Sequence, residues 1–241
     1  MKKMLVSATT GVAALAAAML ASSANAAILA NYNFTTNSGT ALSASSASTV
    51  QPTNGSTSAF TFTISSNESS NDSGFSSTTS AHVFIRSAAT GTDAGAAAAD
   101  DDFLNFTVTA ISGYKLDLTS LTFDLGATSS SSFTSTLYVW SGVTTPTAGN
   151  VIGSGTATFN FGTPVFSGNN KSISLTAPAY QGLQTITFRL AFADNSNNGN
   201  MTNRLDNVVL IGNVVVPEPA SLALLGLGAL MLRRRRTASA R

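Results

Sequence analysis

From Ile28 onward the chain alternates apolar and polar positions with a period of two, the signature of strands that bury one face. Phe60, Phe62 and Ile64 interleave with Thr61, Thr63 and Ser65. Leu104, Phe106 and Val108 interleave with Asn105, Thr107 and Thr109, and Leu121, Phe123 and Leu125 with Thr122 and Asp124. The same pattern returns at Ile186, Phe188, Leu190 and Phe192. Further strands are expected near 28–34, 82–86, 137–140, 156–161, 171–175 and 204–211. Roughly ten short strands separated by Ser/Gly/Asn loops predict an all-β domain over residues 27–213, an antiparallel β-sandwich of jelly-roll type.

Two stretches break the alternation. Ala94 to Ala99 is alanine-rich and helix-capable, and it precedes Asp100-Asp101-Asp102; a loop or a single helical turn is expected there. Residues 35–58 are rich in Ser and Thr and weakly periodic, which predicts a long surface loop. No repeat of solenoid length is visible.

The ends follow a different logic. Residues 1–26 divide into a positive start (Lys2, Lys3), an apolar helix-prone run from Met4 to Ala21, and Ala24-Asn25-Ala26. That order fits a secretory signal peptide cut by signal peptidase after Ala26, with Ala24 and Ala26 as its small-residue site. Residues 214–241 form a second address: Val214-Val215-Val216, Pro217-Glu218-Pro219, an apolar run over 220–232, and Arg233, Arg234, Arg235 and Arg236. As a helix, that run would be about 20 Å long against a hydrocarbon core of roughly 30 Å. It is a short transmembrane helix and a marginal anchor. The arginines can snorkel to headgroups and hold the C-terminus in the cytoplasm, leaving the domain outside. Each proline lacks a backbone donor and pushes its predecessor toward extended geometry, so Val216 to Glu218 should stand as an extended segment beside the membrane.

The sequence Pro217-Glu218-Pro219, followed by a short apolar helix and an arginine cluster, resembles the PEP-CTERM sorting signal, which membrane enzymes called exosortases recognise. The resemblance covers about the last 25 residues of the chain. It implies a Gram-negative-type envelope, transient residence in the inner membrane, removal of the tail near Pro217-Glu218-Pro219, and release or attachment of the domain at the surface. The block from Arg204 to Gly212 is similar to the closing strand of many PEP-CTERM proteins and of jelly-roll carbohydrate-binding modules. This second resemblance implies a lectin-like sandwich, with extracellular polysaccharide as its partner.

Charge and composition narrow the remaining classes. Seven of the twelve basic residues sit at the two ends, and residues 27–216 hold five basic against ten acidic side chains, a net charge of −5. Nucleic-acid binding is excluded, because it needs a basic stripe to displace counterions. The chain has no cysteine, which removes disulfides, thiolate metal sites and cysteine nucleophiles.

Few residues offer chemistry. His82 is the single histidine; no G-x-S-x-G turn accompanies it, and one His cannot supply a zinc site. It is expected to face solvent. Asp100, Asp101 and Asp102, joined by Asp206 or Asp93 from neighbouring loops, are the carboxylates from which a structural Ca²⁺ site could be built; the alternative is a solvated acidic turn. Asp194-Asn195-Ser196-Asn197-Asn198-Gly199 opens like a calcium loop, but the closing acid would fall on Leu205, so a hairpin turn is expected. Tyr138 and Trp140 share one strand face. If Leu137 and Val139 point to the core, the two rings form a platform for a sugar; otherwise they are buried, as aromatic pairs usually are. No catalytic residue and no other cofactor is expected. The leading expectation is a non-enzymatic surface or matrix protein of structural or adhesive role. The alternatives are a module binding extracellular polysaccharide and a secreted glycan hydrolase, which would need two facing carboxylates.

Overall fold

The alternation builds two sheets whose apolar faces share one core. The computed structural model describes residues 26–32, 34, 43–45, 61–65, 73–76, 82–86, 89–91, 93–100, 102–110, 112–128, 132–160, 170–195 and 202–215. The expected signal helix, the apolar run 220–232 and the arginine cluster lie outside these residues.

Along the chain run β1 (Ala27–Tyr32), β2 (Ser43–Ser45), β3 (Thr61–Ser65), β4 (Ser73–Ser76), β5 (His82–Arg86) and β6 (Ala89–Thr90). A helix α1 (Ala94–Asp100) then precedes β7 (Phe103–Thr109), β8 (Lys115–Thr128) and β9 (Phe133–Ser141). The described chain closes with β10 (Gly153–Phe159), β11 (Asn170–Ser174), β12 (Thr185–Asp194) and β13 (Thr202–Val215). The first sheet runs β11-β8-β13-β5-β4, with β1 also on β13, and the second runs β10-β9-β12-β7-β3-β2, with β6 also on β12. Among the described strands every pairing is antiparallel except β6 with β12. This is the antiparallel sandwich that the alternation predicts.

Inward positions are the alternating apolar ones. Leu104, Phe106 and Val108 of β7, Phe188 and Leu190 of β12, and Leu121, Phe123 and Leu125 of β8 are all at most 1% exposed and belong to one cluster. Phe106 stacks on Phe188 with ring centroids 5.0 Å apart, and Tyr32 of β1 lies 5.3 Å from Phe106. Burying each such side chain contributes roughly 1.5–3 kcal/mol, the dominant favourable term for a sandwich without disulfides.

Several elements differ from the sequence expectation. The alanine run forms two turns of helix rather than one or a loop, for reasons that lie in what it covers. β8 and β13 extend to 14 residues each, because they pair along most of their length, from Thr202↔Thr128 to Val215↔Lys115. The Ser/Thr-rich stretch contributes β2, which pairs with β3 at the sheet edge. β13 also runs to Val215, past the expected domain boundary at 213.

Where β13 crosses β8 and β1, three irregularities coincide. Register shifts occur at Asp206/Val209 and Ile211/Gly212 against β8, and at Ile28/Ala30 in β1. Such bulges increase twist and draw backbones together. At Gly212 a Cβ would meet the Asp117 carbonyl oxygen at 2.5 Å and Leu118 Cα at 3.0 Å. Only glycine fits this crossing.

Candidate functional site

Three regions hold most of the residues that sequence reasoning singled out: the outer face of the second sheet, the acidic groups divided between the two sheets, and the junction between β13 and the tail.

On the second sheet Leu137 and Val139 point to the core, so Tyr138 and Trp140 do share the outer face. That face is covered, however. Helix α1 lies on it through Ala97, packing with Phe103, Trp140, Ala191 and Ala193, all at most 2% exposed. Asp93 starts the helix by accepting the Ala96 amide at 2.8 Å through Oδ1, an N-cap arrangement. Trp140 is 0% exposed; its Nε1 donates to the Thr147 carbonyl at 2.9 Å, and its ring meets Phe103 edge-on at 5.8 Å. Tyr138 is half-buried, with its phenol pushed up by burial and then by the nearby Asp93 charge. The two rings therefore do not make an open platform, because Trp140 offers no face to a ligand. The cue in the sequence was Leu190-Ala191-Phe192-Ala193: a strand apolar at four successive positions is covered on both sides.

Beyond α1 the same face is polar. Thr107 and Thr187 share a hydroxyl hydrogen bond at 2.7 Å, and Thr109 and Thr185 one at 2.8 Å. Arg189 lies in register between Asn105 of β7 and Trp140 of β9, with its guanidinium 5.7 Å over the Phe103 ring. Sequence reasoning passed over Arg189; its only signal was a lone cation on an otherwise neutral strand face.

The acidic residues divide into separate environments. Asp100 ends α1, and its carboxyl is pushed up by burial and then by Asp194. Asp101 lies outside the described residues, while Asp102 is buried. Asp206 instead sits on β13 directly opposite Asp124 of β8, whose carboxylate accepts the amides of Asn170 and Asn207. Burial raises the Asp206 carboxyl to about 6, with a smaller upward push from Asp124 opposed by the Asn207 amide. Among the described residues, no three of His, Cys, Asp and Glu come together in a way that could hold a metal ion. Asp194 ends β12 and accepts the Asn203 side-chain amide at 2.9 Å, while Asn195 accepts the Thr134 amide at 2.9 Å. These two serve the sheet rather than a calcium loop. His82 opens β5, and its side chain is outside the described residues, as is Glu68.

At the third region β13 stays paired to its end, with Val214↔Leu116 and Val215↔Lys115. Two residues further on the sequence reads Pro217-Glu218-Pro219. β1 lies along the other edge of β13, from Tyr32↔Val208 to Ala27↔Gly212. The expected signal-peptidase site and the tail therefore meet the sandwich at the same end. No helix among the described residues is long and apolar enough to cross a membrane.

A β-sandwich whose closing strand leads straight into such a tail is an exported protein built around a sorting signal. The PEP-CTERM protein-sorting motif matches residues 215–236, so Pro217, Glu218, Pro219 and Arg233 to Arg236 all fall within it. The motif marks export through a membrane-anchored sorting intermediate. No curated protein matches the chain. Among solved structures the chain is similar to the mannan-recognising carbohydrate-binding module TmCBM27, at 11% identity, TM-score 0.44, and 79% and 99% coverage of the two chains. It is also similar to CBM27-1 of Caldicellulosiruptor saccharolyticus, in complex with mannohexaose (15%, TM-score 0.32, 81% and 99%). The K3 adhesin domain of Lys-gingipain from Porphyromonas gingivalis matches at 16%, TM-score 0.33, covering 76% and 98%.

Proposed function

We propose that the sandwich is delivered to the cell surface or extracellular matrix, where it has a structural or adhesive role and no catalytic one. A signal peptide cut after Ala26 starts export. The short apolar run then holds the chain in the inner membrane with its arginines inside. An exosortase-type enzyme finally cuts near Pro217-Glu218-Pro219. The observation that carries this reading is the continuity of β13 with the sorting motif: the fold ends where the address begins. Replacing Pro217-Glu218-Pro219 with three alanines should leave the tail uncut and the protein in the inner membrane fraction, read by mass spectrometry and fractionation of the native host. Normal processing of that variant refutes the assignment.

A second reading, binding of extracellular polysaccharide, is favoured by the uncovered part of the second sheet. Thr107, Thr109, Thr185 and Thr187 line up hydroxyls beside Asn105 and Arg189, groups suited to sugar hydroxyls. Binding of the mature domain on a glycan array, lost in Arg189→Ala with the melting temperature kept, supports it. A blank array removes it.

A further inference from the structure

The two edges of β13 end differently. Along one, β8 pairs with it as far as Val215. Along the other, β1 stops at Ala27, opposite Gly212, so Asn213, Val214 and Val215 have no described partner on that side. Among the described residues this short edge is open, and Val216 and Pro217 follow it in the sequence. Asn213 Oδ1 is buried and lacks a hydrogen-bond partner.

The end of β13 is also held in place. Val214 packs on the core. Its partner Leu116 is fully buried and clamped from behind, donating its amide to the Leu183 carbonyl at 2.7 Å and accepting the Leu183 amide at 3.0 Å. Fraying this end therefore means breaking a strand pair anchored on both sides. At about 3.3 Å per extended residue, two residues reach no more than ~7 Å, which bounds how far Pro217 can lie from Val215. An enzyme reaching the motif must approach within a few ångströms of the folded sandwich.

We propose that the sorting enzyme docks on this open edge by strand addition, with β13 still paired to β8. Asn213 to Val215 and the motif after them are then read as one extended segment. The inference rests on the sorting assignment above and adds that the folded domain is part of the substrate. Main-chain hydrogen bonds to an exposed edge are a common way to bind an extended segment. Val216 and Glu218 precede prolines, so the continuation is already biased toward strand geometry. Signal-peptide removal has a consequence here: residues upstream of Ala27 are the ones that would continue β1 along this edge, so cutting after Ala26 leaves it open.

The test uses the full precursor in its native host, with processing followed by pulse-chase. A flexible Gly/Ser insertion of about eight residues between Val215 and Val216 separates edge from motif. It should slow processing about tenfold, the effect of losing one or two main-chain hydrogen bonds. Processing of this variant at the wild-type rate overturns the proposal, because the motif alone would then suffice. A second variant joins Lys115→Cys to Val215→Cys, cross-strand partners in a chain with no other cysteine. The oxidised and reduced forms of this variant should be processed at the same rate as each other, a comparison in which the effect of the substitution at Val215 itself cancels. Accumulation of its precursor only in the oxidised form overturns the proposal in favour of unpairing. The triple-alanine variant distinguishes the two levels: if it is cut normally the sorting assignment fails, whereas an uncut triple-alanine variant beside a normally cut insertion removes only strand addition.

Discussion

On the outer face of the first sheet, Asp206 and Asp124 face each other across β13 and β8. Like charges directly opposite are unfavourable in a sheet. Asp206 is only 8% exposed, and burial lifts its carboxyl from 3.8 to about 6. The folded protein therefore binds this proton more tightly than the unfolded chain does. Between these two values the folded state keeps the proton and the unfolded state has released it, so stability falls as pH rises through the window. By pH 7 the loss is complete. Asp206→Asn keeps an oxygen to accept the Asn207 amide and removes the buried charge. It should stabilise the domain at pH 7 by about 1 kcal/mol, after discounting for solvent screening at a sheet surface. Near pH 4 the gain should vanish. Urea unfolding of the wild type and the variant at both pH values checks this; an equal difference at both means the charge is not the cause.

At the scale of the element, the sandwich was legible where one apolar face met one polar face. Leu104, Phe106 and Val108, or Ile186, Phe188 and Leu190, name their own core side by alternation alone. Helix α1 was legible only as a helix-capable stretch of a single turn at most, because its reason for existing lies in other segments. Seven residues are too few for a stable helix in isolation. This one persists because Ala97 seats closely against Phe103, Trp140 and Ala191, and Asp93 caps its start. Trp140 was ambiguous for the same reason: periodicity assigns a residue to a face but does not say what covers that face. The bulges of β13 were equally hidden, since period-two reading has no register for an extra residue. Gly212 marks where they converge. Gly212→Ala would push a methyl into the β8 backbone at Asp117 and Leu118, atoms that cannot rotate away. A loss of about 2–3 kcal/mol is expected, in the range of overpacked cores. A thermal melt decides it. A melting temperature within a degree or so of wild type would mean that the β1, β8 and β13 crossing is looser than described.

Across the whole molecule, the sorting motif and the expected signal-peptidase site abut the fold with almost nothing between them. β1 begins at Ala27, the residue after the expected signal-peptidase site, and β13 ends at Val215, the first residue of the sorting motif. Both strands are structural. Leu29, Ala30 and Tyr32 of β1 are at most 1% exposed, and β1 lines one edge of β13 from Val208 to Gly212. The residue at which the folded chain begins therefore decides whether it can complete its core. A chain starting at Ala27 keeps every inward residue of β1. One starting at Asn33 loses three buried side chains and uncovers Val208 and Leu210 of β13, which are otherwise 0% exposed. Removing that much buried apolar surface costs on the order of 5 kcal/mol, comparable to the entire stability of an ordinary domain. Residues 27–215 expressed alone should give a cooperative thermal transition, whereas residues 33–215 should give none. Cooperative melting of the shorter chain would show that β1 is an accessory strand, and the tight fit between the expected cleavage point and the fold would then have no structural consequence.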